Sequence, residues 1–530
     1  MLFRSSLGSI GTVGTEYLDY SESAKEVNSM FYAHAIASYN HAFGKHNVGA
    51  TVIGLVQNSL SGNAGNLQLS LPSRNIGLSG RFSYNFDDRY IAEFNFGYNG
   101  SERFAKNRRL GFFPSFGLSY NISNEAFFEP VKEVISKLKI RATHGFAGND
   151  QIGRSEDRFF YLSDVNMNAF PVGFGELSGY NRPTIAIRRY ANQDITWERS
   201  RQTNLGLELG LFKDLELNVD VYKQVRSNIL TGRSYIPSTM GLRAPIVANT
   251  NKAESKGVDL TLNYNKNFGD SWYIQGRGTM TYAVSKKLIV DEPAYKEASR
   301  YTVGTSASQE FGYIAERLFV DDQEVLNSPV QFGKPGLDYL GGDIKYRDVN
   351  GDGQITDLDR VAIGYPTTPE MIYGFGGTVG GKGLDFSFYF QGSARSSFFI
   401  NSENISPFYL NGGSQNGLLQ VIADSYWSEE NRNLYAFWPR LSENIIANNN
   451  QRSTWWMRSG AFLRLKTVEV GYTFKESLMK RIRAKNLRVY ANGMNLFALS
   501  SFKMWDVEMG GKGIGYPIQS VYNIGLQLGF

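Results

Sequence analysis

Apolar and polar residues alternate along this chain with a period of two, in segment after segment. At the end of the sequence, Tyr522, Ile524, Leu526, Leu528 and Phe530 oppose Asn523, Gly525, Gln527 and Gly529. Successive side chains of an extended strand point to opposite faces, so such a segment has one greasy face and one wet face. Leu205, Leu207, Leu209 and Leu211 alternate with Gly206, Glu208 and Gly210. After Lys213-Asp214 the pattern resumes with Leu215, Leu217, Val219 and Val221, which marks a hairpin. Val258, Leu260, Leu262 and Tyr264 repeat it, as do Leu384, Phe386, Phe388 and Phe390.

The alternation predicts strands over 8–15, 30–43, 46–58, 76–86, 89–101, 112–122, 138–147, 202–212, 215–226, 256–268, 271–284, 372–381, 383–394, 462–474, 486–495 and 520–530. Short links at Gly44-Lys45, Asp87-Asp88, Lys213-Asp214, Gly269-Asp270 and Gly381-Lys382, with longer turns at 123–137 and 475–485, alternate with long connections. The long ones are 16–29, 59–75, 102–111, 148–201, 227–255, 285–371, 395–461 and 496–519. A soluble β-sandwich also buries one face of each strand, but nothing obliges it to keep short and long connections on opposite ends. Sandwich strands are also short, about 5–6 residues, whereas these run to about 14. Short turns on one side and long loops on the other characterise outer-membrane barrels. The expected fold is all-β: an antiparallel transmembrane β-barrel to which residues 1–530 contribute about 16 strands. With Phe530 at the periplasmic end, 285–371 and 395–461 become the largest extracellular loops.

Composition agrees. Hydrophobic residues are 42%, aromatics 14%, and there are 56 glycines. No apolar run reaches the length of about 18 residues that a membrane helix needs. Aromatics suit interfacial girdles, and glycines suit crowded, curved strands. Cysteine is absent, which excludes disulfides, thiolate metal sites and thiol nucleophiles. The net charge of +5 is spread along the chain with no basic block to track nucleic acid. The opening MLFRSSLGSIGTVGT is no secretory signal, its apolar part being Met1-Leu2-Phe3 against an h-region of about 7–15 residues. A barrel must first cross the inner membrane, so the natural start is expected upstream.

One segment carries candidate chemistry of its own. Residues 348–359 read DVNGDGQITDLD. An EF-hand-type loop takes oxygens from its first, third, fifth, seventh and twelfth positions and turns sharply at a glycine in the sixth. Asp348, Asn350 and Asp352 fill the first three, Gly353 is the turn, and Gln354 offers its carbonyl. Ile355 can tuck the loop against a core, and Asp359 stands where a bidentate Glu is usual. The expectation is one structural calcium on Asp348, Asn350, Asp352, Gln354 and Asp359, the alternative a metal-free Asp/Asn/Gly turn. No helical pattern precedes the loop, so a complete EF-hand is not expected. Catalytic constellations are absent: His34, His41, His46 and His144 have no zinc spacing, and no G-x-S-x-G elbow or phosphate loop occurs. Trp427, Trp438, Trp455 and Trp456 either stack on sugar rings or pack a long loop, and packing or interface anchoring is favoured. No enzyme activity and no organic cofactor are expected.

Several segments, taken in order, resemble the C-terminal part of SusC/RagA-type TonB-linked outer-membrane proteins. They are Gly111-Phe112-Phe113-Pro114-Ser115, Gly148-Asn149, Thr196-Trp197-Glu198, Asp348–Gly353, Phe388-Tyr389-Phe390-Gln391-Gly392, Phe462-Leu463-Arg464-Leu465-Lys466, Asn495-Leu496-Phe497, Tyr516-Pro517 and terminal Phe530. The resemblance implies a 22-stranded barrel, in the size range of plugged outer-membrane transporters. It also implies an upstream plug, a TonB box that contacts the energising complex, and a SusD-like surface lipoprotein that helps capture glycans or peptides. The expected function is the barrel portion of an energised importer of oligosaccharides or peptides in the outer membrane of a Gram-negative, Bacteroidota-like bacterium. The segment alone is not expected to transport. The alternatives are a passive porin or surface adhesin and, more remotely, a soluble β-rich binding protein or enzyme.

Overall fold

A computed structural model describes residues 26–530, apart from 155–156, 270, 412–413, 476–478, 480–483 and 514. Fifteen strands form one continuous antiparallel sheet in chain order. It begins with β1 (Asn28–Phe43), β2 (His46–Ser61), β3 (Ser73–Phe86), β4 (Tyr90–Ser101), β5 (Leu110–Asn121) and β6 (Ile135–Asn149). A separate hairpin, β7 (Asp164–Phe174) and β8 (Tyr180–Arg189), stands outside the sheet within the connection expected over 148–201. The sheet resumes with β9 (Glu198–Leu211), β10 (Leu215–Gly232), β11 (Val247–Phe268) and β12 (Trp272–Ile289). It ends with β13 (Met371–Gly381), β14 (Leu384–Ala394), β15 (Phe462–Thr473), β16 (Asn486–Ser500) and β17 (Val521–Gly529).

Each of these fifteen strands overlaps a predicted one. The strand expected over 8–15 and the link residue Asp270 lie outside the described residues. β10 and β11 run further than their alternation suggested, to Gly232 and from Val247. Their pairing shifts register between Arg226 and Leu230, and Asn228 takes a φ of 56° there. A bulge lets the ladder continue after the apolar alternation has ended.

Local chemistry fixes the tight turns. Asp87 and Asp88 have φ of 53° and 52°, and Phe212 and Lys213 have 53° and 65°. Two consecutive positive φ angles make the turn whose twist matches paired antiparallel strands. These turns gather at one end of the sheet, and the connections 290–370 and 395–461 lie at the other.

Register sorts the side chains into two faces. One row across neighbouring strands reads Asn40, Gly49, Ser83, Glu93, Gly117, Thr143, Asn204, Tyr222 and Gly257. The adjacent row, on the opposite face, reads His41, Val48, Tyr84, Ala92, Leu118, Ala142, Leu205, Val221 and Val258. Among the described residues the buried apolar clusters are built mainly by the connections, not by the sheet. Its apolar face is open, with Leu205 59% and Val221 50% exposed. The largest fully buried side chains, Tyr339, Tyr346, Phe104, Phe160 and Phe319, all belong to connections. A single sheet, polar on one side and apolar and bare on the other, is the wall of a membrane barrel.

Candidate functional site

The polar face is a connected surface of charges and amides. Arg141 on β6 donates to Asp220 on β10 at 2.5 Å, crossing β9 at Gly206. A Cβ at Gly206 would lie 2.7 Å from Arg141 Cγ and 2.8 Å from Asp220 Oδ1, so only glycine leaves the passage open. Asn204 donates to the same carboxylate at 2.9 Å. The device recurs near the chain end: Arg488 on β16 passes over Gly471 on β15 to reach Asp385 on β14 at 2.6 Å. Arg488 also holds Glu469 at 2.7 Å. Lys137 bridges Glu208 and Glu216, each at 2.9 Å. This wall is wet but nearly charge-paired, so it offers hydrogen bonds without trapping one ion.

Above the wall, the connections 290–370, 395–461 and 501–520 pack into one unit. Tyr313, Leu318, Ile344, Tyr346 and Ile355 share a core with Ile405, Ile422, Trp427, Trp438, Trp456, Phe502 and Val507. Tyr346 donates to the Asn448 carbonyl at 2.8 Å, and Arg440 pairs with the fully buried Asp343 at 2.9 Å. Burial pushes the Asp343 carboxyl above the usual range, against the pull of Arg440. Two segments expected as separate loops are thus one cap. Trp427, Trp438 and Trp456 are 7%, 6% and 2% exposed. They pack the cap, as favoured above, and are closed to sugar stacking and to surface labels.

The 348–359 loop lies at the margin of this unit. Asp348 accepts the Gly351 and Gly353 N–H groups at 2.7 and 2.8 Å. Asp352 accepts from Gln354 N–H at 2.9 Å and from the Asn350 amide at 2.9 Å. Gly351 and Gly353 have φ of 75° and 84°, which folds the chain back on itself. Asp348, Asn350 and Asp352 therefore share the exposed tip. Ile355 is 3% exposed in the shared core, as its position suggested. Asp359 is fully buried instead of lying at the tip. Its carboxylate accepts the N–H groups of Val349, Asn350 and Thr356 at 2.8, 3.3 and 2.8 Å, and it closes a capping box with Thr356. Among the described residues no group of three or more His, Asp or Glu side chains is disposed to hold a metal ion.

Comparison with known proteins places this architecture. The TonB dependent receptor-like, beta-barrel family matches residues 5–496.

The chain belongs to that family.

Among TonB-dependent receptors, the chain is 29% identical to receptor P26 of Formosa agariphila over 489 residues, covering 87% of this chain and 46% of P26. It is 27% identical to SusC of Bacteroides thetaiotaomicron over 473 residues, covering 85% of this chain and 43% of SusC. It thus spans about half the length of the curated relatives it matches. The RagAB peptide transporter shares the fold, with a TM-score of 0.68 at 21% identity over 95% of this chain and 56% of that one. The same protein in its open-open state gives 0.68 as well. The TonB-dependent barrel fold accounts for the polar wall, and the named relatives are receptors and transporters. What sequence reading missed is the pair of glycine-crossed clamps and the β7–β8 hairpin. The clamps depend on register across three strands, and the hairpin's alternation is broken at Ala169 and Pro171.

Proposed function

We propose that the complete protein is an energised importer of oligosaccharides or peptides across the outer membrane of a Gram-negative, Bacteroidota-like cell. The observation that carries this reading is the continuous polar wall, with hydrophobic surface outside and the large cap at the long-connection end, in a chain of the TonB-dependent receptor family. A wall rich in Asn, Ser, Thr and paired charges suits a hydrated solute. On this reading the cap faces the medium and receives a SusD-like surface lipoprotein, and the TonB complex acts through residues upstream of this chain. The similarity to SusC and to the RagAB peptide importer supports both partners.

The deciding experiment is uptake of labelled oligosaccharides and peptides by cells carrying the complete receptor. Import should collapse without TonB and fall when the lipoprotein is deleted. Undiminished uptake without TonB would make the protein a passive porin, and surface binding with no uptake would make it an adhesin.

We also propose calcium at the 348–359 loop, with a structural role. The support is the order of oxygen-bearing residues, with Gln354 seventh in the loop, and the gathering of Asp348, Asn350 and Asp352 at the tip. Asp359 already accepts three backbone N–H groups, so it would ligate only by releasing one and otherwise holds the loop from behind.

A further inference from the structure

A second constellation lies away from the polar wall, where the connection between β2 and β3 meets the one between β6 and β9. It encloses a cavity of about 730 Å³, within the range of small-ligand sites. Arg154, Arg188 and Arg189 line it, against Asp157 and Asp164. Both carboxylates are already engaged. Asp157 accepts the Arg154 N–H at 3.0 Å and faces Arg189 at 3.5 Å, and Asp164 accepts from Gln68 at 3.1 Å. Arg158 lies beside the cavity and donates to the carbonyls of Gln68 and Leu71 at 2.8 and 2.7 Å. Arg103 donates to the Asp157 carbonyl at 3.1 Å. Carbonyls satisfy the N–H groups of these cations but do not cancel their charge.

Arg158 and Arg189 are each 8% exposed. The Nε of Arg189 is buried and has no partner among the described residues. Among the described residues Glu102 acts on Arg158, and Asp157 and Asp164 act on Arg189, but the cost of holding guanidinium charge out of water outweighs them and burial lowers the basicity of both groups. Phe159, on the same wall, has a φ of 54°, a strained conformation for a bulky side chain. Among its described lining residues the cavity therefore carries more guanidinium than carboxylate, and a buried guanidinium N–H stands there without a partner.

We propose that this cavity binds a carboxylate- or sulfate-bearing saccharide unit, whose anion meets Arg154 and Arg188 in the field of the buried Arg189. A guanidinium fork matches the oxygens of either anion. A saccharide is favoured over a peptide because Asn66, Ser163 and Asn166 on the wall, whose oxygens already accept the N–H groups of Leu69, Ala191 and Asn168, keep amide and hydroxyl donors for ring oxygens and hydroxyls. The inference narrows the substrate class of the importer reading and rests on it only for the origin of the ligand.

The test is calorimetry on the complete receptor in detergent. The probes are a galacturonate trisaccharide, a sulfated galacto-trisaccharide, neutral maltotriose and a glutamate tripeptide. At least one acidic saccharide should bind about tenfold or more tighter than maltotriose, with affinity falling as salt rises. Which of the two binds identifies the anion. The exposed pair Arg154→Gln/Arg188→Gln should abolish the preference. Arg182→Gln, whose guanidinium sits 4.8 Å from the Tyr180 ring on the hairpin, should leave it intact. Equal binding of acidic and neutral sugars, an unchanged double variant, or tighter binding of the acidic peptide would overturn the proposal. TonB-dependent uptake with no acidic preference would defeat the cavity but leave the importer standing. Acidic binding without energised uptake would do the reverse.

Discussion

Arg141 reaches Asp220 by passing over Gly206, the residue that separates them in the sheet. The bond spans three strands and fixes their register from the polar side. Gly206→Ala would set a Cβ 2.7 Å from Arg141 Cγ and 2.8 Å from Asp220 Oδ1, so the arginine must leave its carboxylate. Overpacking of this kind costs about 1–3 kcal/mol. Gly117→Ala is the control, because its nearest neighbour would be Thr143 Cγ2 at an ordinary 3.5 Å. Thermal unfolding of the complete receptor should register a loss for the first substitution and little change for the second.

The strands of the sheet were legible in the sequence because a wall with lipid on one side and water on the other enforces alternation of period two. Leu205 to Leu211 and Leu215 to Val221 were predicted as a hairpin linked by Lys213-Asp214, and they pair as one, but Leu211 meets Leu215 and the turn begins a residue earlier, at Phe212. The connections were legible only as lengths. Their shared core brings Tyr346 to Asn448, some hundred residues apart in the chain, and no local pattern encodes such a contact. The 348–359 loop was read position by position, but the depth of Asp359 was not, because burial depends on what packs behind it. The arginine-lined cavity joins three distant segments and left no sequence signal.

The cap should melt as a unit of its own. Trp456 is 2% exposed, its ring lies 5.2 Å from that of Trp438, and its indole donates to the Asn449 carbonyl at 2.7 Å. Trp456→Ala should cost the cap about 3–5 kcal/mol. Hydrogen exchange should then rise across 313–355 and 400–456 together while β9, β10 and β11 stay protected. Exchange rising in only one of the two segments would mean that they fold separately.

The cap should also weaken in acid. Burial raises the pKa of Glu324, but bonds from Arg317 at 2.6 Å, Lys345 at 2.8 Å and the Val320 N–H at 2.9 Å outweigh it and hold the carboxyl down at about 2. A carboxyl with a depressed folded value stabilises fully above its ordinary value of 4.5 and loses that contribution as pH falls through about 2. The stability difference between the native protein and Glu324→Gln should therefore be flat above pH 4.5 and shrink below it. A difference that stays constant across that window would remove Glu324 from the account.

Calcium is tested by titration of the complete receptor. The native protein should bind one equivalent at the 348–359 loop, and Asp348→Ala with Asp352→Ala should abolish binding while the barrel stays folded. Identical heats for both proteins, or none for either, would reduce the segment to a turn held by its own N–H bonds.

The central claim is that one face of this sheet meets lipid and the other lines a lumen. The chain has no cysteine, so single cysteines at 217–222 on β10 can carry spin labels in the complete receptor reconstituted in lipid bilayers. The account predicts accessibility to oxygen with a period of two: high at Leu217, Val219 and Val221, low at Asn218, Asp220 and Tyr222. A uniform profile, or shielding of Leu217, Val219 and Val221 from oxygen, would place them in a protein core and contradict the barrel.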